Sequence, residues 1–187
     1  MKNKILIAAL LFPILGLTVL ASFRAYKLHT GYEMTLDVQG YDPRDILSGH
    51  YVVYTVDYGP FEDCYEYLKK DTGSESAGET RIKISDDEEL CVCYSNPPDA
   101  TSGYWTRCND VNEANCPVYI RGKCNYRRFE AGIEKFFVPE TQAGAYDAIL
   151  REEGAELVIK IDSNGKASVA DLKLPVSIED WQKKQEK

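Results

Sequence analysis

All six cysteines of this 187-residue chain, Cys64, Cys91, Cys93, Cys108, Cys116 and Cys124, lie in one window, behind a long apolar run at the N-terminus. An even cysteine count in a chain with an export signal reads as disulfides formed in an oxidising compartment. Zinc is the alternative, because Cys91 and Cys93 with Cys108 and Cys116 offer four thiolates. Structural zinc sites, however, pair their ligands at spacings of about two to four residues. Cys-x-Cys followed by gaps of fourteen and seven residues does not fit that pattern. Disulfides are therefore expected at all six positions, and no metal. Six cysteines permit fifteen pairings, and one has local support. Residues 90–94 and 104–108 flank the turn-rich Ser-Asn-Pro-Pro-Asp-Ala-Thr-Ser-Gly. Pairing as a hairpin, they would bring Cys91 nearly opposite Cys108.

The apolar run covers residues 5–23 without a charge, behind Lys2 and Lys4. As a helix, a run of that length crosses about 30 Å of hydrocarbon, and lipid-spanning helices tolerate Pro13 and Gly16. Cleavage as a signal peptide after Ala21 is the alternative, but the run exceeds the roughly 7–15 apolar residues usual for a signal core. Residues 1–29 are thus expected to be a membrane anchor, with Arg24, Tyr26, Lys27 and His29 at the interface. The cysteines then put the remainder outside the cytoplasm. Without Lys2 and Lys4 the chain keeps 20 basic residues against 30 acidic ones. That balance repels polyanions, and no nucleic acid is expected as a partner.

Beyond the anchor, Met34, Leu36 and Val38 alternate with polar residues, the period of a half-buried strand. Residues 42–48 read as a turn and 50–58 as a second strand, ended by Gly59-Pro60. Residues 63–70 read as a short helix and 73–79 as an exposed loop. Residues 109–115 look like an insertion. Phe136, Phe137 and Val138 read as a short buried strand stopped by Pro139. Residues 141–153 read as a helix with Tyr146, Ile149 and Leu150 on its apolar face and Gly154 as its stop. Two alternating runs, 157–161 and 167–174, flank Asn164-Gly165, the strongest short-range hairpin signal. The fold class expected is mainly β, an antiparallel and barrel-like sheet with one or two short helices, behind one N-terminal transmembrane helix. Its parts are the anchor 1–29, an extracytoplasmic domain 30–176 with a disulfide-rich insertion 64–124, and a polar tail 177–187.

Catalytic constellations are sparse. Ser48-Gly49-His50 puts a hydroxyl near an imidazole, but adjacent strand residues seldom reach the geometry nucleophilic catalysis needs. The cysteines form no Cys-x-x-Cys, so structural bridges are preferred to redox chemistry. Asp42, Asp45 and Asp57 could form an acidic pair or hold a cation; aspartate beside proline more often caps its own turn. Tyr51, Tyr54 and Tyr58 crowd one strand, with Tyr54 and Tyr58 on one face and Tyr51 on the other. Packing is the ordinary reading of such a cluster and an interaction surface the sharper one. Neither catalytic residues nor a cofactor is assigned.

Three blocks carry a family resemblance. Gly31-Tyr32-Glu33-Met34-Thr35-Leu36 leads into Tyr41-Asp42-Pro43-Arg44-Asp45-Ile46-Leu47 and then Gly49-His50-Tyr51; Gly132 to Glu140 forms a second block, and the closing Asn-Gly hairpin a third. The chain resembles the GDYXXLXY family of membrane-anchored bacterial proteins. Gly49 and Tyr51 match its motif, whereas His50, Tyr54 and Val56 replace its aspartate, leucine and final tyrosine. The resemblance makes Asp42, Pro43, Arg44, Asp45, Gly49, His50, Tyr51 and Tyr54 the motif and candidate binding residues. It implies a single-pass inner-membrane protein with a periplasmic domain, no assigned activity, and a polytopic membrane protein as partner. A shorter likeness, Pro-x-Asp-Ile-Leu-x-Gly-x-Tyr-Val, is similar to type I signal peptidases. There the nucleophilic serine would fall on Gly40, which cannot attack a carbonyl. The expected function is an accessory or binding subunit of a cell-envelope complex; the alternative is an envelope enzyme or an inactive relative of those peptidases.

Overall fold

The run of uncharged residues is helical: α1 spans Lys2–Thr30 and contains Pro13. A computed structural model describes residues 2–40, 51–60, 62–71, 89–112, 114–125 and 127–185. By contacts the chain divides into two units, Met1–Gly31 and Tyr32–Lys187. In the first, the described apolar side chains from Leu11 to Leu20 stand exposed. Among the described residues no helix is long and apolar enough to cross a membrane.

The second unit is mainly β. Its described strands are β1 (Tyr32–Gly40), β2 (Tyr51–Val56), β3 (Glu89–Tyr94), β4 (Gly103–Arg107), β5 (Val118–Asn125), β6 (Arg128–Glu130), β7 (Lys135–Phe137), β8 (Ala155–Ile161) and β9 (Ala167–Lys173). The helices α2 (Cys64–Asp71), α3 (Ala143–Glu152) and α4 (Ile178–Gln185) accompany them, one more than the one or two of the expected fold class; α4 is the short helix that the tail 177–187 can form around Ile178 and Trp181. Every strand pair is antiparallel. One sheet runs β7-β2-β1-β8-β9 and the other β4-β3-β5-β6.

The first sheet follows the alternation closely. Met34, Leu36 and Val38 turn inward opposite Ile159, Leu157 and Ala155. The Asp162 side chain accepts from the N–H groups of Asn164 and Lys166 in the Asn-Gly turn, closing the β8–β9 hairpin. The register shifts by one residue of β9 between Val158 and Ile159, and Val158 is buried although it lies in the outward phase. α3 stops where Gly154 takes a φ of 73°. Phe137 departs from expectation: it is 78% exposed, at an edge of the sheet and on the outward face, where its ring meets Tyr51.

The second sheet is built around β3. On one face Leu90, Val92 and Tyr94 enter the core that both sheets share. On the other, Cys91 and Cys93 are equally buried, capped by their own bridges to Cys108 and Cys116. The third bridge, Cys64–Cys124, ties α2 to β5, and no cysteine is free. All six cysteines are thus cross-linked as expected, Cys91 with Cys108 included. The hairpin register faces Cys91 with Thr106, so Cys108 reaches it from just past the end of β4.

Candidate functional site

Among the candidate residues, Asp42, Pro43, Arg44, Asp45, Gly49 and His50, like Ser48, lie outside the described residues. Tyr51 and Tyr54 are described and stand on opposite faces of β2. Tyr51 is half-buried: its ring meets Phe137 edge-on with centroids 6.1 Å apart, and Lys135 Nζ lies 5.1 Å from its centroid. Tyr54 and Tyr58 point inward and are buried.

The two inward tyrosines find their partners in the block that begins at Gly132. Tyr51, Val52 and Val53 pair with Phe137, Phe136 and Lys135. The Tyr54 hydroxyl donates to the Ile133 carbonyl (2.8 Å) and the Tyr54 N–H to the Glu134 carbonyl (3.2 Å). The Tyr58 hydroxyl donates to Glu134 Oε1 (2.6 Å), which also accepts from the Ala131 N–H (2.7 Å). Tyr94 of β3 in turn donates to the Tyr58 carbonyl (3.1 Å), linking the sheets. Burial, then the neighbouring Glu134 carboxylate, pushes the Tyr54 and Tyr58 hydroxyls well above the ordinary tyrosine range. Burial does the same to Tyr94, with Asp57 adding to it. All three remain protonated donors and cannot serve as bases or phenolate nucleophiles near neutrality.

Beside this joint lies a cleft of about 570 Å³. One wall is residues 53–58, the end of the motif strand and the two residues after it, the other residues 127–130 at the β5–β6 turn and β6. Pro60, Trp105 and Cys64 contribute to the rest. Phe129 is the aromatic hub: the rings of Tyr58 and Trp105 meet it edge-on at 4.9 and 5.1 Å. Trp105 spends its indole N–H on the Glu62 carbonyl (2.6 Å). At the rim Arg127, at a φ of 71°, sets its Nε and Nη2 on Asp63 Oδ2 (3.0 and 2.7 Å). The other oxygen of Asp63 caps the first turn of α2 through the Glu66 N–H (2.8 Å). Partial burial opposes ionisation of Asp63, but these hydrogen bonds and the guanidinium outweigh it and hold its carboxyl below the usual range. Asp57 caps its own turn, accepting from the Gly59 N–H (2.9 Å). Among the described residues no group of three His, Cys, Asp or Glu side chains is placed to hold a metal.

The model of the GDYXXLXY family matches residues 13–172. The chain belongs to the GDYXXLXY family. No curated protein and no solved structure matches it. Within the GDYXXLXY frame, the fold joins two blocks far apart in sequence, the motif strand and the segment from Gly132. Tyr54, where the family has leucine, fills the inward position and adds the hydrogen bond to Ile133 that a leucine could not make. Gly40 has a structural reason to be glycine: a Cβ there would stand 2.8 Å from the backbone nitrogen of Arg151 in α3. A serine at that position would collide with the helix, so the likeness to signal peptidases stops short of their nucleophile.

From sequence, Glu134 is one letter of the second block. Nothing in the sequence marks Asp63, Trp105, Arg127 and Phe129 as neighbours. The one local signal is Asp63 itself, an N-cap residue ahead of a helical pattern with Glu66 three positions on.

Proposed function

We propose that this chain is a single-pass inner-membrane protein whose periplasmic domain acts as a binding subunit of a cell-envelope membrane complex, with a polytopic membrane protein as partner. The uncharged run 5–23 and the exposed apolar side chains of α1 support the anchor. Three disulfides support the oxidising side of the membrane. The observation that carries the binding role is the cleft: aromatic side chains and charged groups of both signs line it together, and its tyrosine hydroxyls are locked as hydrogen-bond donors. Such a surface recognises shape and hydrogen-bonding pattern.

Purification of the full chain in mild detergent tests this reading. Retention of a polytopic protein in stoichiometric amount is expected. A monodisperse lone monomer from native membranes would sink it. Recovery of the chain in a soluble periplasmic fraction, starting just after Ala21, would overturn the anchor while leaving the periplasmic domain intact.

A further inference from the structure

The cleft is bordered by strand edges, and one of them carries open hydrogen-bonding groups. Its walls include six consecutive residues, 53–58, the end of the motif strand and the two residues just beyond it, inward and outward side chains alike. A cavity that touches every successive residue runs along a strand's edge, since opposite faces take alternate residues. Which backbone groups point into it follows from two hydrogen bonds. The Asp57 N–H donates to Asp37 of β1 (2.9 Å), so odd-numbered residues at this end of β2 face β1. The Tyr54 N–H donates to Glu134 on the other side, so even-numbered residues face away from β1. Val56 is next in that series.

Continued in register, the partner of Val56 would be Gly132. There the chain turns off with a φ of 82°, a conformation natural to glycine. Among the described residues no strand takes its place, and the N–H and C=O of Val56 face the cleft. Val56 itself is only 7% exposed, and a buried backbone pair of this kind calls for partners. Across the cleft stands β6, the last strand of the other sheet.

We infer that the cleft binds an extended segment of a partner polypeptide as an added β-strand along the Val56 edge, with an apolar side chain opposite Val56 and basic side chains flanking it. This deepens the binding-subunit reading and rests on it. The chemistry of the segment follows from the pleat. A residue in a hydrogen-bonded pair with Val56 projects its side chain to the same face as Val56, toward the shared core, where an apolar group fits. Its neighbours project to the face of Thr55 and Asp57, both exposed. Carboxylates outnumber cations five to three among the lining residues, and the chain carries a net charge of −8, so the outward positions favour lysine or arginine. Main-chain hydrogen bonds supply affinity and the alternating side chains supply selectivity.

The test uses the full chain in detergent micelles and three dye-labelled, end-blocked heptapeptides. One alternates lysine with valine; the second is the same peptide N-methylated at its valine amides; the third alternates glutamate with valine. Fluorescence anisotropy should show binding of the lysine peptide and loss of binding on N-methylation. The glutamate peptide should bind at least about tenfold more weakly at low salt. Hydrogen exchange of the Val56 amide should slow on adding the lysine peptide, while that of Ile159 in β8 stays unchanged. In the folded variant D57K the preference between lysine and glutamate peptides should narrow or reverse. Equal binding of the N-methylated peptide, an unprotected Val56 amide at saturation, or an unchanged charge preference in D57K would each overturn the proposal. A partner retained in detergent whose complex leaves the Val56 amide unprotected would overturn strand addition alone and leave the binding subunit standing.

Discussion

The two sheets share one core but are held by different means. In the five-stranded sheet, β1 and β8 pair over seven successive positions, Tyr32 to Val38 against Ile161 to Ala155, and bury long aliphatic side chains between them. In the four-stranded sheet, β3 gives one face to the same core and covers the other with sulfur. Cross-links act mainly on the unfolded chain, so their contribution scales with the loop they close, whereas aliphatic burial acts through contacts of the folded state. The bridge between Cys64 and Cys124 closes the longest loop, with a sequence separation of 60. In the chain-entropy picture it contributes about 4 kcal/mol, and each of the other two about 3 kcal/mol. Reduction should therefore be the largest single perturbation. Hydrogen exchange of the reduced protein should show β3, β4 and β5 losing protection before β1 and β8. Equal loss in both sheets would mean that the shared core makes them one cooperative unit.

The converse experiment removes volume in place of a cross-link. Leu157 is fully buried in β8, and Leu157→Ala should destabilise the oxidised protein by about 3 kcal/mol, from lost transfer energy and the cavity left behind. Denaturant unfolding followed by two probes sharpens the comparison. Trp105 lies in the four-stranded sheet, and Trp181 lies in α4. If the sheets fold together, both probes report the same reduced midpoint. If the cross-links let the cysteine sheet persist, the Trp105 signal should unfold later than circular dichroism of the whole.

Why one sheet is readable from sequence and the other is not follows from the same contrast. β1 and β9 each bury one face and β8 departs from that only at Val158, so their letters largely alternate, and the β8–β9 connection is a local turn whose chemistry is written in Asp162, Asn164 and Gly165. β3 buries both faces, so Glu-Leu-Cys-Val-Cys-Tyr shows no apolar–polar alternation, and its partners are set by cysteines far along the chain. The hairpin with β4 is legible because a loop rich in turn residues separates two short runs. At the cleft, Tyr54 and Tyr58 can be placed on one face of a strand by counting. That Glu134 would meet Tyr58 cannot, because a hydrogen bond across 76 positions depends on how the chain turns at Gly132.

The tyrosines that join the sheets give a pH-dependent version of the comparison. Tyr54, Tyr58 and Tyr94 all titrate above the usual tyrosine value of about 10 when folded, chiefly because burial disfavours the phenolate. A folded value raised above the unfolded one means that their contribution is complete below about pH 10 and is lost as pH rises beyond it. Above that point stability should fall by about 1.4 kcal/mol per pH unit for each such tyrosine. Tyr58→Phe should reduce that slope by about one proton while costing about 1–3 kcal/mol at neutral pH, because Glu134 loses the donor to its Oε1. Tyr94→Phe should lower the slope equally and cost less, since the Tyr58 carbonyl it serves is uncharged. Unfolding midpoints measured between pH 8 and about 11 separate the two; an unchanged slope in both variants would mean that these hydroxyls are not buried together.

The smallest effect is expected at the contact joining the β5–β6 turn to α2, although its geometry is among the best in the molecule. Arg127 forks onto Asp63 and also reaches Glu66 at 3.7 Å. Its side chain is 62% exposed, however, and an exposed ion pair is screened by solvent and salt and contributes little. The Cys64–Cys124 bridge already holds the same two elements together, so Arg127→Ala should lower the oxidised protein's stability only slightly. Asp63 provides the sign. Its folded carboxyl titrates below the usual range, so its contribution is present above the ordinary carboxylate range, near pH 4, and fades as the pH falls through the lower folded value. Arg127→Ala should therefore flatten the acid limb of the stability profile without touching the alkaline limb. Once the bridge is reduced, the same substitution should cost more, because the ion pair is then left to align α2 with β5. A cost that stays the same with and without the bridge would show that cross-link and ion pair act independently.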